Sequence, residues 1–389
     1  MKIYDGIIIG AGAAGMAAAI TAKQENPNFD LAILEKMDRP GLKVAAAGNG
    51  RCNITNKNCP DYLSTLKFLQ SVGIMTRDDG NGWIYPYNEE AKSVVAALTE
   101  KIKSQGSEIF CGNRVKSVEI IENHRDSGWR HNKESNSAVF QIDTDNGTKY
   151  FARRVVLSTG GKSGPKLGTT GDGFVIARNL GHTVNTLVPS LTTVETYEDT
   201  AYIAGVRAKA SVTLLFKGIP VAAEEGEIQF TEDGISGICI YNLTRYMTGL
   251  PLDSYSLEVD FFPGIWNIEE VIEEREALMG RNALLLTMLK KPLRKLIMDQ
   301  TGGDVKEITK LVKKFPLKVK NLGGWRKAQV TRGGVDLHEI SHDTMESTLI
   351  KNLFIVGEVL DYDGPCGGFN LNHAWQTGIK AGRAMAENF

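Results

Sequence analysis

The stretch YDGIIIGAGAAGMAAAITAKQ, residues 4–24, carries the pattern that decides the fold. Its three consecutive isoleucines form a β-branched apolar run, which predicts a strand buried on both faces of a parallel sheet. The alanine-rich half that follows predicts a helix. Between the two lies a GxGxxG turn made of Gly10, Gly12 and Gly15, with Ala14 just before the last glycine.

Each glycine of this turn has a separate task when a dinucleotide binds. Gly10 permits the tight turn, Gly12 lets the backbone approach a pyrophosphate, and Gly15 lets helix and strand pack closely. The helix then directs its free N–H groups and its positive dipole end toward the phosphates. A chance match in a chain with 41 glycines is the alternative. The strand before the turn and the helix after it favour a bound dinucleotide.

A second predicted strand, DLAILE at residues 30–35, ends at Glu35. A carboxylate here can accept hydrogen bonds from both ribose hydroxyls. An acid rather than an arginine indicates a free 2′-hydroxyl, which favours FAD or NAD over NADP. The next stretch, KMDRPGLKVAAAGNGRCNITN at residues 36–56, mixes basic and small residues without apolar periodicity. We expect a loop that serves a larger ligand lying extended across the sheet edge, with a solvated surface loop as the alternative.

The same pattern returns near the carboxyl terminus. LFIVG at residues 353–357 predicts a short buried strand, Glu358 follows it, and a glycine-rich turn leads into a helix that begins at Asn370 and Leu371. A further strand, within RRVVLSTGG at residues 153–161, ends in small polar residues. Open α/β sheets bind ligands at the carboxyl edge of their strands. The start of the second helix can therefore stabilise negative charge that develops on a reduced flavin.

Composition narrows the class of protein. The chain has 389 residues, 42% of them hydrophobic, so we expect two or three structural units. A net charge of −1 gives no general reason to expect nucleic acid or a membrane as partner. Five scattered cysteines without a CxxC pair speak against a disulfide framework or a metal site and indicate a reducing compartment. Glycines interrupt the uncharged stretch 6–22, so we expect a cytoplasmic protein without a membrane span.

Five stretches together carry a family resemblance: IIIGAGAAG, GNGRCNITN, VVLSTGGKSGPKLGTTGDGF, DTMES and LFIVGEVLDYDGPCGGFNLNHAW. They resemble the BaiN/YhiN-like family of FAD-dependent flavoproteins, also called the aminoacetone oxidase-type family. The resemblance implies an α/β fold in which FAD is held by a discontinuous Rossmann-like domain. It also implies an inserted antiparallel β-barrel-like domain and a small helical domain.

The predicted cofactor-binding residues share a position at strand ends, helix starts or the loop after Glu35. By the resemblance, some hold the pyrophosphate and ribose, some form the flavin-side loop, and the carboxyl-terminal ones contact the ribityl chain and the isoalloxazine ring. The complete predicted set is Gly10, Gly12, Ala14, Gly15, Glu35, Lys36, Lys43, Arg51, Cys52, Asn53, Val115, Thr159, Gly160, Gly161, Gly357, Glu358, Gly367, Gly368, Phe369, Asn370 and Leu371.

The middle of the chain has a different sequence pattern from the two ends. Short β-rich runs with glycine turns predict an antiparallel barrel, and a charged stretch after them predicts a helical cap. The polar stretch 119–140 predicts a mobile hairpin insertion. The predicted domains are an FAD-binding domain at 1–190 and 346–389, a barrel-like domain at 191–253 and 312–345, and a helical cap at 254–311.

The resemblance implies three activities: reduction of conjugated steroid double bonds, oxidation of aminoacetone, and reduction of uridine in ribosomal RNA. The first and third share hydride transfer to the β-carbon of a C=C bond conjugated to a carbonyl. We therefore expect a reductase acting on a small molecule, with amine oxidation as the alternative. No second GxGxxG lies between a strand and a helix, so NADH or NADPH would donate electrons transiently, without a domain of its own.

Two further features remain open at this point. His373, one turn into the last predicted helix, is a weak candidate for acid–base catalysis, with a helix-surface histidine as the alternative. The stretch from Lys290 to Lys327 holds twelve basic and three acidic residues. It could contact RNA phosphates, which would suit a flavin-binding RNA-interaction protein, or form a solvated helix face balanced by the acidic run 269–276.

Overall fold

The computed structural model describes residues 2–121, 139–248 and 251–387. The strands, in chain order, are β1 (Tyr4–Ile9), β2 (Leu31–Leu34), β3 (Thr55–Asn56), β4 (Thr76–Asp78), β5 (Trp83–Pro86), β6 (Glu108–Phe110), β7 (Val115–Ile121), β8 (Val139–Thr144), β9 (Lys149–Leu157), β10 (Val188–Ser190), β11 (Val194–Thr196), β12 (Arg207–Phe216), β13 (Ile219–Thr231), β14 (Gly234–Ser236), β15 (Tyr255–Asp260), β16 (Phe315–Leu322), β17 (Val330–Arg332) and β18 (Leu353–Ile355).

The helices, in chain order, are α1 (Ala13–Glu25), α2 (Leu42–Ala46), α3 (Tyr62–Ser71), α4 (Ala91–Ser104), α5 (Asp172–Asn179), α6 (Ile238–Thr244), α7 (Ile268–Met279), α8 (Lys291–Thr301), α9 (Val305–Lys313), α10 (Gly324–Lys327) and α11 (Phe369–Glu387). These elements divide into two units. Unit 1 comprises residues 1–188 and 330–389, and unit 2 comprises residues 189–329.

Unit 1 is built on a seven-stranded sheet in the order β6-β2-β1-β9-β8-β7, with β18 also paired to β9. The pairs β6–β2, β2–β1, β1–β9 and β9–β18 are parallel, whereas β7, β8 and the first half of β9 run antiparallel. β1 is buried on both faces at Ile7 and Ile8, as its β-branched run predicts. The α/β Rossmann-like fold with a discontinuous domain is therefore confirmed.

The carboxyl ends of the parallel strands meet at one edge of the sheet. Backbone bonds continue past the strands there: Gly10 N donates to Leu34 O at 2.8 Å, Ser158 N to Ile9 O at 2.9 Å, and Val356 N to Leu157 O at 3.1 Å. Residues just beyond each strand are consequently neighbours, although they are far apart in sequence.

Helices α1 and α11 pack with their backbones in unusually close approach. A Cβ atom on Gly378 would lie 2.2 Å from the Ala14 carbonyl oxygen, and one on Gly382 would lie 2.3 Å from the Ala18 oxygen. Residues Ala13 to Ala22 of α1 are all buried. Small residues on both helices thus bring the start of α11 to the same sheet edge as the start of α1.

Unit 2 contains a closed antiparallel barrel in the order β11-β14-β13-β12-β15-β16. β15 alternates buried and half-buried residues, as expected for a strand with one face toward the barrel interior. Three aromatic rings pack inside unit 2, with centroids 6.2 Å apart for Phe230 and Phe315 and 5.6 Å apart for Phe261 and Phe315. Helices α7, α8 and α9 lie between β15 and β16 in sequence.

The structure moves two of the predicted domain boundaries. Residues 255–260, assigned from sequence to the helical cap, form the barrel strand β15, because they pair with both β12 and β16. Residues 330–345, assigned to the barrel-like domain, lie in unit 1, since Val335 pairs with Val184 and Leu360. In both places a short strand lies next to a segment of the other predicted domain. The local sequence pattern does not show with which strand it pairs.

The predicted hairpin insertion is described only at its two ends, where β7 pairs antiparallel with β8. Residues 122–138, which join them, lie outside the described residues. Within the described parts of the chain, none of the helices combines the length and apolar character needed to cross a membrane.

The close contact between α1 and α11 predicts a large effect of a single methyl group. Gly378→Ala should lower the free energy of unfolding by about 1–3 kcal/mol, because the new Cβ would overlap a backbone oxygen that cannot rotate away. Chemical denaturation with and without FAD measures this. Glu387→Ala, at an exposed position of the same helix, is the matched control and should change stability little. Equal stability of Gly378→Ala and the wild type would contradict this packing.

Candidate cofactor site

The three glycines of the first turn differ in what surrounds them. Gly10 has a φ of +104°, and a Cβ there would lie 2.5 Å from Ser158 O. A Cβ on Gly15 would lie 2.0 Å from Gly10 O. A Cβ on Gly12 would meet no described atom within 4 Å. Gly10 and Gly15 are thus required by the turn itself, whereas Gly12 faces open space.

That open space lies at the amino terminus of α1. Gly12 is the residue before the helix and has no side chain with which to cap it. Met16 N is the first amide that donates back to Gly12 O, at 2.9 Å, and the amides before it lack an intrahelical acceptor. Free N–H groups, the helix dipole and an uncrowded glycine form a cradle that fits a pyrophosphate.

Glu35 is fixed against the same turn. Ala11 N donates to its Oε2 at 2.8 Å, and Met37 N donates to its Oε1 at 2.9 Å. Two backbone bonds leave further lone pairs on the carboxylate. The residue is thus positioned at the end of β2 with acceptor capacity for ribose hydroxyls.

Lys36 was predicted to bind the cofactor, but its ammonium contacts Asp172 and Thr170 near the start of α5. It donates to Asp172 Oδ2 at 2.8 Å and to Thr170 Oγ1 at 2.6 Å, and Arg114 reaches Asp172 Oδ1 at 2.7 Å. Burial acts to raise the pKa of Asp172, but the hydrogen bonds from Arg114 and Lys36 outweigh it and the pKa lies below its usual value. This cluster fastens the start of α5 to the loop after β2.

The loop that follows contains the short helix α2 and then an irregular turn. Gly48, Asn49, Gly50 and Cys52 all have positive φ angles, which disfavours residues with a Cβ. Burial raises the pKa of Cys52 to about 12, so its thiol is protonated and unreactive at neutral pH. The predicted loop is therefore present, with a helix of five residues that its composition did not indicate.

Arg51 is exposed, as are Gly48, Asn49 and Gly50 before it in this turn. Its guanidinium lies 5.0 Å from the centre of the Tyr85 ring and 3.7 Å from Glu89 Oε2. Tyr85 is buried on β5, whereas Tyr87 is exposed. Of the two tyrosines in GWIYPYN, residues 82–88, Tyr85 is therefore the one packed beside the loop.

Asn53 ties the loop to two strands. Its side-chain nitrogen donates to Thr55 O at 3.0 Å and Ile84 O at 3.3 Å in the orientation that satisfies both atoms of the amide. A Cβ on Gly368 would lie 2.6 Å from the Thr55 carbonyl carbon. The carboxyl-terminal glycine turn thus packs directly on the segment after the loop.

A buried polar network joins this segment to α11. Thr55 and Thr65 each donate from Oγ1 to Asn372 Oδ1 at 2.7 Å, and Asn372 Nδ2 donates to Pro60 O at 3.0 Å. The indole of Trp375 donates to Ile54 O at 3.2 Å. Neither Asn372 nor Trp375 was predicted. The sequence signal that could have identified Asn372 is its polar side chain at a position where the helical spacing of α11 predicts an apolar, buried residue.

Lys43 and Glu358 form an ion pair between the two chain ends. Lys43 Nζ lies 2.5 Å from Glu358 Oε2, and Thr331 N donates to Glu358 Oε1 at 2.9 Å. Thr331, which sequence reasoning missed, also accepts from Lys162 N at 2.7 Å through its hydroxyl. A Cβ on Gly161 would lie 2.9 Å from Glu358 Cδ. The ends of β9 and β18 thus meet at Glu358.

The glycine turn before α11 is shaped by Asn370. Its amide accepts from Gly364 N and donates to Gly364 O, both at 2.9 Å. A Cβ on Gly367 would lie 3.2 Å from the Trp83 ring. Burial raises the pKa of Cys366 to about 11, so this residue is also a protonated thiol at neutral pH. The Asn370 side chain therefore holds the loop, while α11 begins at Phe369 beside it.

The other predicted residues occupy the same edge with different contacts. The Thr159 hydroxyl lies against Gly173 of α5, and Gly160 has a φ of +74°. Leu371 packs on the core of unit 1. Val115 begins β7 and is buried opposite Thr144.

Gly357 connects this edge to both helices. Its φ is +68°, and a Cβ there would lie 2.9 Å from Ala14 Cβ, in the first turn of α1. Its amide donates to Thr377 Oγ1 of α11 at 3.0 Å. The second helix is thus anchored beside the pyrophosphate cradle.

His373 is not a surface histidine. Its ring stacks on Tyr362 with centroids 4.0 Å apart, and its Nε2 is buried. Burial lowers the pKa of His373 to about 4, so the ring is neutral at pH 7. A neutral imidazole with this pKa is unsuited to donating a proton as a general acid near neutral pH.

These residues fit an extended FAD molecule. The cradle at Gly12 suits the pyrophosphate, Glu35 suits the ribose, and the edge near Glu358 leaves the start of α11 for the flavin half. Within the described residues, no group of three or more His, Cys, Asp or Glu side chains is arranged to hold a metal ion. All five cysteines are free.

Comparison with known proteins agrees with this arrangement. The model of the HI0933-like protein Rossmann domain matches residues 4–65 and 61–384. The 3-dehydro-bile acid delta(4,6)-reductase of Clostridium scindens is 33% identical over 98% of both chains. The ribosomal RNA dihydrouridine synthase of Haemophilus influenzae is 29% identical over 96% of both chains.

A solved structure shares the fold. The 3-ketosteroid-delta4-(5alpha)-dehydrogenase of Rhodococcus jostii matches with a TM-score of 0.51 over 98% of this chain and 96% of that one. Its identity of 15% supports a shared fold and no more.

The contrast between Gly12 and Gly15 predicts two different defects. Gly12→Val should leave the unfolding midpoint of the FAD-free protein unchanged and weaken FAD binding about 100-fold, because the side chain would fill the pyrophosphate cradle. Gly15→Ala should instead destabilise the FAD-free protein itself, since its Cβ would overlap Gly10 O. Thermal unfolding and FAD titration of both variants measure the two effects. Normal FAD binding by Gly12→Val would remove the cradle from the site.

Proposed function

Because this chain belongs to the family of HI0933-like FAD-dependent oxidoreductases, we propose that it reduces a C=C bond conjugated to a carbonyl group in a small molecule. The sequence motifs predicted this family, and the full-length match confirms it. The observation that carries the proposal is the alignment with the Clostridium scindens reductase, which extends over nearly the whole of both chains.

The site is suited to reductive chemistry. When bound, FAD supplies hydride transfer to the β-carbon. Negative charge then develops on the substrate carbonyl oxygen, and preorganised positive groups stabilise it. The start of α11 provides a helix dipole close to Glu358 and Lys43, whose ammonium is already oriented by that carboxylate.

We further propose that NADH or NADPH reduces the flavin without a binding domain of its own. The whole sequence contains one GxGxxG turn between a strand and a helix, and Gly10, Gly12 and Gly15 form it. A second nicotinamide-binding fold of the same kind is therefore not available. The nicotinamide donor would visit an open face of the flavin and leave.

The decisive experiment is anaerobic reduction followed by turnover. Mixing the holoprotein with NADH or NADPH should bleach the flavin absorbance, and a 3-dehydro-4,6-diene bile acid should restore it while its C=C bond is reduced. Stopped-flow absorbance and mass spectrometry of the product measure both halves. Gly12→Val protein with FAD added is the matched control and should neither bleach nor turn over.

The alternative chemistry gives a different result. If the flavin bleaches with aminoacetone and with neither nicotinamide, the protein is an amine oxidase and the reductase proposal is wrong. Bleaching by NADPH without reduction of an enone would retain the reductase class and exclude this substrate.

A second candidate function is reduction of a base in RNA, because the Haemophilus influenzae relative carries that name. Part of the stretch 290–327 is neutralised: Lys313 lies 2.6 Å from Asp260 Oδ2 and Lys327 lies 2.8 Å from Asp233 Oδ2. Among the described residues, the ion pairs of this stretch are with Asp260, Glu258 and Asp233, and not with the acidic run 269–276 that the alternative interpretation expected to balance it. Nine of its basic residues have no ion pair among the described residues: Lys290, Lys291, Arg294, Lys295, Lys306, Lys310, Lys318, Lys320 and Arg326.

An exposed aromatic residue lies close to these charges. Trp266 is 93% exposed. Lys313 of α9 donates to Ile265 O at 3.3 Å, so the loop that presents Trp266 is attached to α9. An exposed indole beside a basic helix is suited to stacking on an unpaired base.

If RNA is the substrate, its binding should depend steeply on salt. Lys306→Glu with Lys310→Glu should weaken binding of a single-stranded ribosomal RNA fragment and lower the salt slope by about 2, since each lysine contributes about one phosphate contact. Lys92→Glu with Lys103→Glu, also exposed but on α4 of unit 1, is the matched control. A flat salt dependence of the wild type in filter binding would remove RNA as a partner.

A further inference from the structure

The helical part of unit 2 contains an acidic helix whose charges are not neutralised within the chain. Helix α7 carries five glutamates, which are Glu269, Glu270, Glu273, Glu274 and Glu276. Arg275, the basic residue of this helix, donates instead to the backbone oxygens of Leu284 and Leu286. None of the five glutamates forms an ion pair with any residue that the structure describes.

Helix α9, which is basic, lies beside α7 and runs in the opposite direction. Lys313, the last residue of α9, donates to Phe262 O at 3.0 Å, shortly before α7 begins. At the other end, Arg281 follows α7 and donates to Gly303 O at 3.0 Å, shortly before α9 begins. The acidic and the basic helix are therefore neighbours whose ends are fixed to each other by backbone contacts.

Each of the two helices presents a row of like charges to solvent. Glu270 and Glu274 of α7 are exposed and four residues apart, so they lie on one face of that helix. Lys306 and Lys310 of α9 have the same spacing and are also exposed. Neither lysine has an ion pair among the described residues. An acidic row and a basic row thus face outward side by side, and neither satisfies the other.

Exposed apolar side chains flank the acidic row at both ends of α7. Trp266, which precedes the helix, is 93% exposed, and Leu278 near its end is 83% exposed. Leu278 continues the four-residue spacing of Glu270 and Glu274, so it lies on the same helix face. Surface ion pairs alone contribute little binding energy, whereas a buried tryptophan is a typical energetic centre of an interface. The charges would select a partner, and the apolar ends would supply affinity.

We propose that this face, formed by α7, α9 and Trp266, binds a second copy of the chain in a two-fold symmetric dimer. In such a dimer one surface meets itself, and every contact occurs twice. A surface with an acidic row beside a basic row is complementary to itself, because α7 of each copy can face α9 of the other. Nucleic acid or an anionic membrane would satisfy the lysines but would place negative charge against the glutamates. The dimer is independent of the cofactor and of the substrate.

Exchange of the charges tests the proposal. Glu270→Lys with Glu274→Lys makes both rows basic, and Lys306→Glu with Lys310→Glu makes both rows acidic. The wild type should sediment as a dimer at low salt, whereas each variant alone should be a monomer, because like charges would meet across the two-fold axis. An equal mixture of the two variants should form a dimer again, since acid then faces base at both contacts. Analytical ultracentrifugation over a range of protein concentrations measures all four samples.

Two further variants separate this interface from general effects of charge or folding. Lys92→Glu with Lys103→Glu changes the same number of charges on exposed residues of α4 in unit 1 and should remain a dimer. Trp266→Ser should raise the dissociation constant of the dimer about tenfold or more, and the FAD content of each variant reports that it is folded. A monomeric wild type, or folded charge variants that stay monomeric when mixed, would overturn the proposal. A monomeric wild type that binds RNA with a steep salt dependence would assign the basic row to RNA instead.

Discussion

The close approach of α1 and α11 is the constraint on which the site depends. Helix axes this near each other require small residues, and Gly378 and Gly382 provide them against the carbonyl groups of Ala14 and Ala18. Both helices then start at the carboxyl edge of the same parallel sheet. The two positive helix ends converge although the segments that carry them lie at opposite ends of the sequence. A larger residue at either glycine would move one helix start away from the other, and the two halves of the cofactor would no longer have supports at a fixed separation.

A second constraint acts on the loop between Glu35 and the small antiparallel sheet formed by β3, β5 and β4. Asn49 and Cys52 adopt positive φ angles, which an isolated loop with Cβ atoms does not favour. Buried hydrogen bonds offset this strain, because Asn53 fixes the end of the turn and Asn372 of α11 binds the threonines after it. The carboxyl-terminal helix therefore has two functions. It supplies a helix start to the site, and its buried polar side chains hold the amino-terminal loop in a shape that the loop would not keep alone.

Sequence reasoning identified the elements of the site but not the contacts that assemble it. The strand, glycine turn and acidic residue of the first βαβ unit depend on local pattern, so Gly10, Gly15 and Glu35 have the surroundings that the pattern implies. Thr331 and Asn372 could not be found in this way, since each acts on residues far away in sequence. Residues 330–345 were placed in the wrong unit for the same reason, because a short strand does not reveal its partner. His373 was read as a surface residue or a catalyst because helical spacing gives no measure of what a neighbouring loop covers.

The basic side chains near the site and the backbone amides at the start of α1 have different roles. Each basic side chain expected near the cofactor is already paired with a carboxylate: Lys36 with Asp172, Lys43 with Glu358 and Arg51 with Glu89. These pairs orient loops, and two of the carboxylates bind a second cation as well, since Arg114 also contacts Asp172 and Arg77 also contacts Glu89. At Gly12 no described atom lies within 4 Å of a Cβ position, so an anion there would meet the free amides and the dipole at the start of α1, which are fixed in direction and do not change with pH. A site of this kind would distinguish a dinucleotide from free phosphate through the contacts at Glu35 and along the sheet edge, because free phosphate lacks them.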